Sequence, residues 1–175
     1  MSLPRLNVWD FDDTLAESWP VVKALEAKFP EVEYRKWWHD PEVSSAAALA
    51  TPPLPEAWRL LRSVPGTNMI LTGRVGAAVK AWLRLWERDP EYRGAIQGIV
   101  AVESTSGGPE KTAPAKAKFL AQLCGEFELH VYDDLQRNLD AIREVCPGAH
   151  VYLMRGGYVV NPARYTSRAY RGAYT

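Results

Sequence analysis

Two carboxylates stand two positions apart in Val8-Trp9-Asp10-Phe11-Asp12-Asp13-Thr14-Leu15. Asp10 and Asp12 follow a short apolar run, and a strand sends side chains i and i+2 to the same face. Two close carboxylates repel, so one of them calls for a cation while the other can hold a proton. Phosphoryl transfer through an aspartyl-phosphate has those needs. One carboxylate attacks phosphorus; the second protonates the leaving oxygen and then activates water. A divalent cation neutralises the phosphate oxygens. Standing alone, an Asp-x-Asp would more simply be a solvated acidic turn.

It does not stand alone. Leu71-Thr72-Gly73-Arg74 offers a hydroxyl and a backbone N–H for phosphate oxygens, and Gly73 lets the backbone come close. Arg74 suits a bidentate phosphate clamp, or equally a surface charge. Lys111, Lys116 and Lys118 come next. One ammonium is needed to hold nucleophile and phosphate together, and the others would solvate a helix face. Asp133-Asp134 then supplies hard oxygen donors for a cation.

The intervening pattern says what positions these groups. Apolar runs at residues 6–11, 68–72, 96–102, 128–132 and 149–154 read as buried strands, which need no alternation when both faces are covered. Helical spacing occupies residues 19–29, 56–63, 75–87, 114–123 and 135–145, with Pro30 and Pro147-Gly148 as stops. Residues 34–55, broken by four prolines, read as irregular, and residues 104–109 as a polar loop. Strands alternating with helices predict an α/β fold with a mainly parallel five-stranded sheet. In such sheets ligands bind at the carboxyl ends of the strands. Asp10, Thr72 and Asp133-Asp134 all fall at such ends.

These four elements, in this order, resemble the haloacid dehalogenase-like phosphohydrolase superfamily over roughly residues 5–155. Its Asp-x-Asp-x-Thr motif is met by Asp10, Asp12 and Thr14, its second motif by Thr72, its third by a lysine and its fourth by Asp133 and Asp134. The resemblance implies a three-layer Rossmannoid fold with a small cap insert at about residues 16–66. It implies a Mg²⁺-dependent phosphomonoester hydrolase with Asp10 as nucleophile and Asp12 as general acid/base. Mg²⁺ would be held by Asp10, the Asp12 carbonyl and Asp134, with Asp133 orienting Asp134 or the lysine; the sequence leaves the two aspartates interchangeable. Lys116 is the preferred lysine, at the exposed start of a helix, and Lys111 the second choice.

So small an insert suits an open site and a large phosphorylated substrate, such as a single-stranded nucleic-acid end, whereas closed sites suit small metabolites. Trp37-Trp38-His39-Asp40-Pro41-Glu42 is similar to a stretch of the Swiss-army-knife RNA-repair-like branch, and Tyr132-Asp133-Asp134 with Arg137 and Asn138 to polynucleotide phosphatases. Trp37 and Trp38 could stack on a base or pack the insert's underside. No kinase P-loop pattern occurs. Nucleotides, other small phosphoesters and phosphoproteins remain alternative substrates. In another class stands a non-catalytic binding module, which should have lost part of the catalytic set.

The 175 residues suit one domain, and 21 acidic against 21 basic residues exclude binding nucleic acid by bulk charge. The balance is uneven, however. Every acidic residue precedes Arg155, and a tail over 156–175 carries Arg164, Arg168 and Arg171 among tyrosines, a pattern suited to single-stranded nucleic acid or to simple packing. Cys124 and Cys146 read as reduced thiols in a cytoplasmic protein without a membrane span. Seven tryptophans all lie at or before Trp86.

Overall fold

The computed structural model describes residues 2–102 and 111–160. Strands β1 (Arg5–Trp9), β2 (Thr67–Thr72), β3 (Gly98–Ala101), β4 (Glu128–Asp133), β5 (His150–Arg155) and β6 (Tyr158–Val160) form one sheet in the order β3-β2-β1-β4-β5-β6. The first five are parallel, and only β6 runs antiparallel, against β5. Chain order reverses between β1 and β4, which makes their carboxyl ends the crevice where such sheets take ligands.

Both faces of the sheet are covered, and that is why its strands are apolar throughout. Leu6, Val8, Met69, Leu71, Leu129 and Val131 lie in one core with Ala117 and Leu120 of α6 (Thr112–Ala121) and Leu139 and Ile142 of α7 (Gln136–Val145). Trp9, Ile70 and Tyr132 join the other core, with Ala57, Trp58 and Leu61 of α4 (Pro55–Ser63) and Val79, Trp82 and Leu83 of α5 (Gly76–Trp86). Most of the early tryptophans belong to this second core. Three indole N–H groups are satisfied inside it: Trp9 on Asn68 Oδ1 at 3.0 Å, Trp58 on the Leu15 carbonyl at 3.1 Å and Trp82 on the Thr51 carbonyl at 2.9 Å.

Three expectations are corrected. Residues 34–55 are not irregular throughout: they hold α2 (Lys36–His39) and α3 (Pro41–Leu49). Pro41 occupies the first turn of α3, where a proline costs no hydrogen bond, and Asp40 caps that helix by accepting from the Glu42 and Val43 N–H groups. The sheet has six strands, not the expected five, because the start of the expected tail forms β6. Gly156-Gly157 is the turn of the β5–β6 hairpin, and Gly157 lies at φ +87° so close to α4 that a Cβ would sit 3.0 Å from the Ala57 nitrogen. The cysteines are joined, not reduced: Cys124, just beyond α6, pairs with Cys146 at the end of α7, with Cα atoms 5.9 Å apart. Packing of α6 on α7 brings them together from 22 residues apart, a proximity that spacing alone does not reveal.

Helix α1 (Ser18–Lys28), α2 and α3 build a third, smaller core from Val22, Trp37 and Ala47, with Trp38 and Val43 at its edge. It fills the interval between the first two motifs. The 104–109 loop and the tail's Arg164, Arg168 and Arg171 lie outside the described residues. Among the described residues, no helix is long and apolar enough to cross a membrane.

Candidate active site

Strand β1 stops at Trp9, but the Asp10 N–H still donates to the Tyr132 carbonyl at 2.8 Å, so Asp10 is fixed beside the end of β4. The chain then turns sharply. Leu15 and Ala16 both donate to the Phe11 carbonyl, and Asp13 is held at φ +57°, with its carboxylate accepting the Trp19 N–H at 3.0 Å. Aspartate is among the few side chains that adopt this backbone region readily. Thr14 is fully buried within the turn, its hydroxyl making no hydrogen bond among the described residues.

Lys116 reaches the same place from α6. Its Nζ donates to Asp10 Oδ1 at 2.6 Å and to Asp133 Oδ2 at 2.7 Å. The expected exposed helix start is wrong. Helix α6 begins at Thr112, and Lys116 lies on its inward stripe with Ala113, Ala117 and Leu120, only 2% exposed. The small alanines let the helix approach until the ammonium meets both carboxylates. Lys111 and Lys118 are exposed on the same helix region.

Asp133 is otherwise committed. It also accepts from the Leu135 N–H at 2.9 Å and from Asn138 Nδ2 at 2.9 and 3.0 Å. The Asp134 carboxylate lies beside it and 7% exposed, and one oxygen each of Asp10, Asp133 and Asp134 falls within a 4.8 Å group. Arg155, at the end of β5, donates to the Asp134 and Met154 carbonyls and so braces this loop. Asn138 and Arg155 hold the site from outside, and sequence reasoning assigned neither that task. Asn138, close behind the acidic pair, carries a signal in the sequence; Arg155 carries none, and only its place at the end of β5 brings it here.

The electrostatics follow from one ammonium among three buried carboxylates. Burial lifts Asp10 from 3.8 to about 7, with Lys116 opposing and Asp133 and Asp12 adding to the rise. Asp134 is pushed up in the same way, by burial first and then by Asp10 and Asp133. For Lys116, burial opposes the charge, but Asp10 and Asp133 outweigh it and raise the group above the usual lysine range. Ionised together, the carboxylates would leave two negative charges uncompensated in a buried site, and an all-oxygen donor set suits a hard cation such as Mg²⁺. Asp12 is not in that group: its Oδ1 faces Arg74 Nε at 3.3 Å, an ion pair whose angle gives no hydrogen bond.

The end of β2 completes the floor. Thr72 Oγ1 accepts the Arg74 N–H at 3.0 Å, which folds Thr72-Gly73-Arg74 into a tight turn. A Cβ on Gly73 would lie 2.7 Å from Thr112 Cγ2, so glycine is what lets α6 start against this turn. Arg74 is no surface charge. It is 1% exposed, with its guanidinium 4.8 Å from the Trp38 ring and 5.8 Å from that of Phe11. None of its side-chain nitrogens makes a hydrogen bond among the described residues. The tryptophan pair divides: Trp37 points into the small core at 5% exposure, the packing alternative, whereas half-buried Trp38 covers Arg74.

Comparison with solved structures places this arrangement on a known fold. L-2-haloacid dehalogenase from Xanthobacter autotrophicus superposes with TM-scores of 0.61 and, with chloropropionic acid covalently bound, 0.60, at 12% identity over 95% of this chain and 80% of that one. A chain of the Pnkp1/Rnl/Hen1 RNA repair complex superposes with a TM-score of 0.55 at 15% identity, over 87% of this chain and 43% of that one. This chain thus spans less than half of that RNA-repair chain. The fold is that of the haloacid dehalogenase superfamily. No protein-family model matches the sequence, and no curated protein does.

Proposed function

We propose that this protein is a Mg²⁺-dependent phosphomonoester hydrolase that works through an aspartyl-phosphate on Asp10. The observation that carries the reading is Lys116 bridging Asp10 and Asp133 inside a buried carboxylate group. Asp10 Oδ attacks phosphorus, the bond from phosphorus to the leaving oxygen breaks, and Asp12 supplies the proton that oxygen needs. Asp12 then takes a proton from the water that cleaves the acyl phosphate, which returns Asp10 and releases inorganic phosphate. Lys116 holds Asp10 in place and offsets charge on the transferring group, Thr72 and Gly73 receive phosphate oxygens, and Arg74 presents to the substrate nitrogens that make no hydrogen bond among the described residues. Asp10, Asp134 and the Asp12 carbonyl would hold Mg²⁺, which supplies charge neutralisation for the phosphate oxygens. Asp133, already bound on both oxygens, orients the lysine.

The fold also serves a dehalogenase that binds chloropropionic acid covalently, and this supports covalent chemistry on the scaffold. Halide displacement needs no proton and no cation, and a cluster of carboxylates would repel the released anion. The acidic group and Asp12 therefore favour phosphorus. The retained lysine and carboxylates likewise argue against a binding module that has lost catalysis. The test is hydrolysis of p-nitrophenyl phosphate with and without Mg²⁺, for wild type and Asp10→Asn. Activity is expected only in wild type with the cation; equal rates in the two proteins would end the mechanism.

For substrate class we favour polynucleotide ends. Trp38 lies over Arg74 at the site's edge, where an aromatic face can take a base while the guanidinium takes its phosphate. A chain of an RNA repair complex with the same fold supports this reading, and the α1–α3 segment would act as a small cap. Oligonucleotides phosphorylated at the 3′ or 5′ end, assayed beside nucleotides, sugar phosphates and a phosphopeptide, decide it. A kcat/KM no higher for oligonucleotides removes the preference.

A further inference from the structure

At the end of the sheet opposite the carboxylates, β4 and β5 begin side by side. Their register pairs His130 with His150, and the two imidazoles stack with centroids 4.5 Å apart and planes inclined by 17°. Both Nε2 atoms converge on Glu128 Oε1, at 3.0 Å from His130 and 3.8 Å from His150. One donor atom from each of the three residues lies within 4.8 Å of the others. We propose that Glu128, His130 and His150 form a second metal site, one for a borderline divalent ion such as Zn²⁺, separate from the hard-cation site at Asp10.

The donor chemistry distinguishes the two ends of the molecule. Two imidazoles and one carboxylate suit zinc, and three protein ligands leave a fourth position open. The oxygen-only group around Asp10 suits magnesium. Ligand atoms around a tetrahedral zinc, each about 2.0–2.1 Å from the metal, stand about 3.3–3.4 Å apart, and the separations from Glu128 bracket that. Imidazole lone pairs lie in the ring planes, and these are nearly parallel in the stack, so the exposed His150 ring must turn out of the stack to share an ion with His130 and Glu128.

The surroundings also prepare the histidine. Tyr152, on β5, has its hydroxyl 3.0 Å from His130 Nδ1. Metal-bound histidines commonly give their second ring N–H to such a partner, which fixes the tautomer and the ring plane. Without metal, Nε2–H donates to Glu128. Metal binding moves the ring proton to Nδ1, where the Tyr152 oxygen accepts it, and Nε2 turns its lone pair to the ion. The site is open to solvent, because the side chains of His150 and Glu128 are 55% and 47% exposed while His130 is buried behind them. Arg5 stands nearby and opposes a dication, although its guanidinium is engaged by Asn7 Oδ1 at 2.9 Å and the Tyr132 hydroxyl at 3.4 Å. Affinity below that of a closed four-ligand site is therefore expected.

The test uses the full chain without a polyhistidine tag, stripped with EDTA and titrated with Zn²⁺ by calorimetry. The three imidazoles are followed by long-range ¹H–¹⁵N NMR, His39 serving as the internal control. The first equivalent should shift His130 and His150 and leave His39 in place. His150→Ala, a surface change, should weaken zinc at least about tenfold, and Tyr152→Phe by about tenfold. Unshifted His130 and His150 at one equivalent, or unchanged affinity in His150→Ala, would overturn the site. Binding is what is read, so the outcome is independent of whether the protein hydrolyses phosphoesters.

Discussion

Asp12, the proposed acid/base, has Arg74 for a neighbour, with the guanidinium Nε 3.3 Å from its Oδ1. Arg74 is buried, with nitrogens that make no hydrogen bond among the described residues. A substrate phosphate offers it a stronger bidentate partner than the poorly aligned Asp12. Drawing the guanidinium to phosphate frees the Asp12 carboxyl to face the leaving oxygen and then the attacking water. Asp12→Asn should then discriminate between leaving groups. Alkyl phosphates, whose oxygen needs the proton, should lose about 10²–10⁴-fold in kcat. With p-nitrophenyl phosphate the first step should survive while water attack stalls, giving a burst of about one phenolate per enzyme. Stopped-flow absorbance reads the burst, and its absence together with equal losses on both substrates would remove Asp12 from acid/base chemistry.

Contact between β2 and α6 is what delivers Lys116, and it depends on a missing side chain. Gly73→Ala puts a Cβ 2.7 Å from Thr112 Cγ2 and 3.0 Å from its Oγ1, so α6 must shift away from the sheet. Overpacking of this kind costs about 1–3 kcal/mol, and the shift also lengthens the 2.6 Å contact between Lys116 and Asp10. Activity should fall further than stability, and Thr112→Ala should restore much of both; thermal melts and kcat of the double variant check this. The tryptophan pair separates in the same way. Trp37→Ala empties the small core and should cost about 3–5 kcal/mol, whereas Trp38→Ala should spare the melting temperature and raise KM for oligonucleotides. Equal effects of the two on stability would contradict the division between core and site. Strand ends and the order of motifs were readable in the sequence because buried parallel strands are apolar runs that stop at charge, as at Asp10 and Asp133. The inward placement of Lys116 was not readable there, since it depends on two alanines whose helical face cannot be oriented from spacing alone. Arg155, Trp38 over Arg74 and the Cys124–Cys146 pair are contacts across elements, and local patterns carry no trace of those.

Across the whole molecule, charge is sorted by the sheet. Its carboxyl edge gathers Asp10, Asp12, Asp133 and Asp134 around Lys116 and Arg74, and its opposite edge gathers Glu128 with two histidines. The buried acids would couple a bound cation to the stability of the fold. Asp10, raised by burial to about 7, and Asp13, raised to about 6, keep protons in the folded protein that the unfolded chain releases near 4. Between roughly pH 4 and 7 the native state therefore binds more protons than the unfolded state. By linkage, these groups make stability fall as pH rises through that window. The proposed Mg²⁺ would bind the ionised carboxylates, so its stabilising effect should grow as protons leave. In scanning calorimetry at fixed excess Mg²⁺, the rise in melting temperature should be larger at pH 7.5 than at pH 5.5. Asp134→Asn should shrink the rise at both values. A cation effect of the same size at the two pH values, or one untouched by Asp134→Asn, would detach the metal from this carboxylate group.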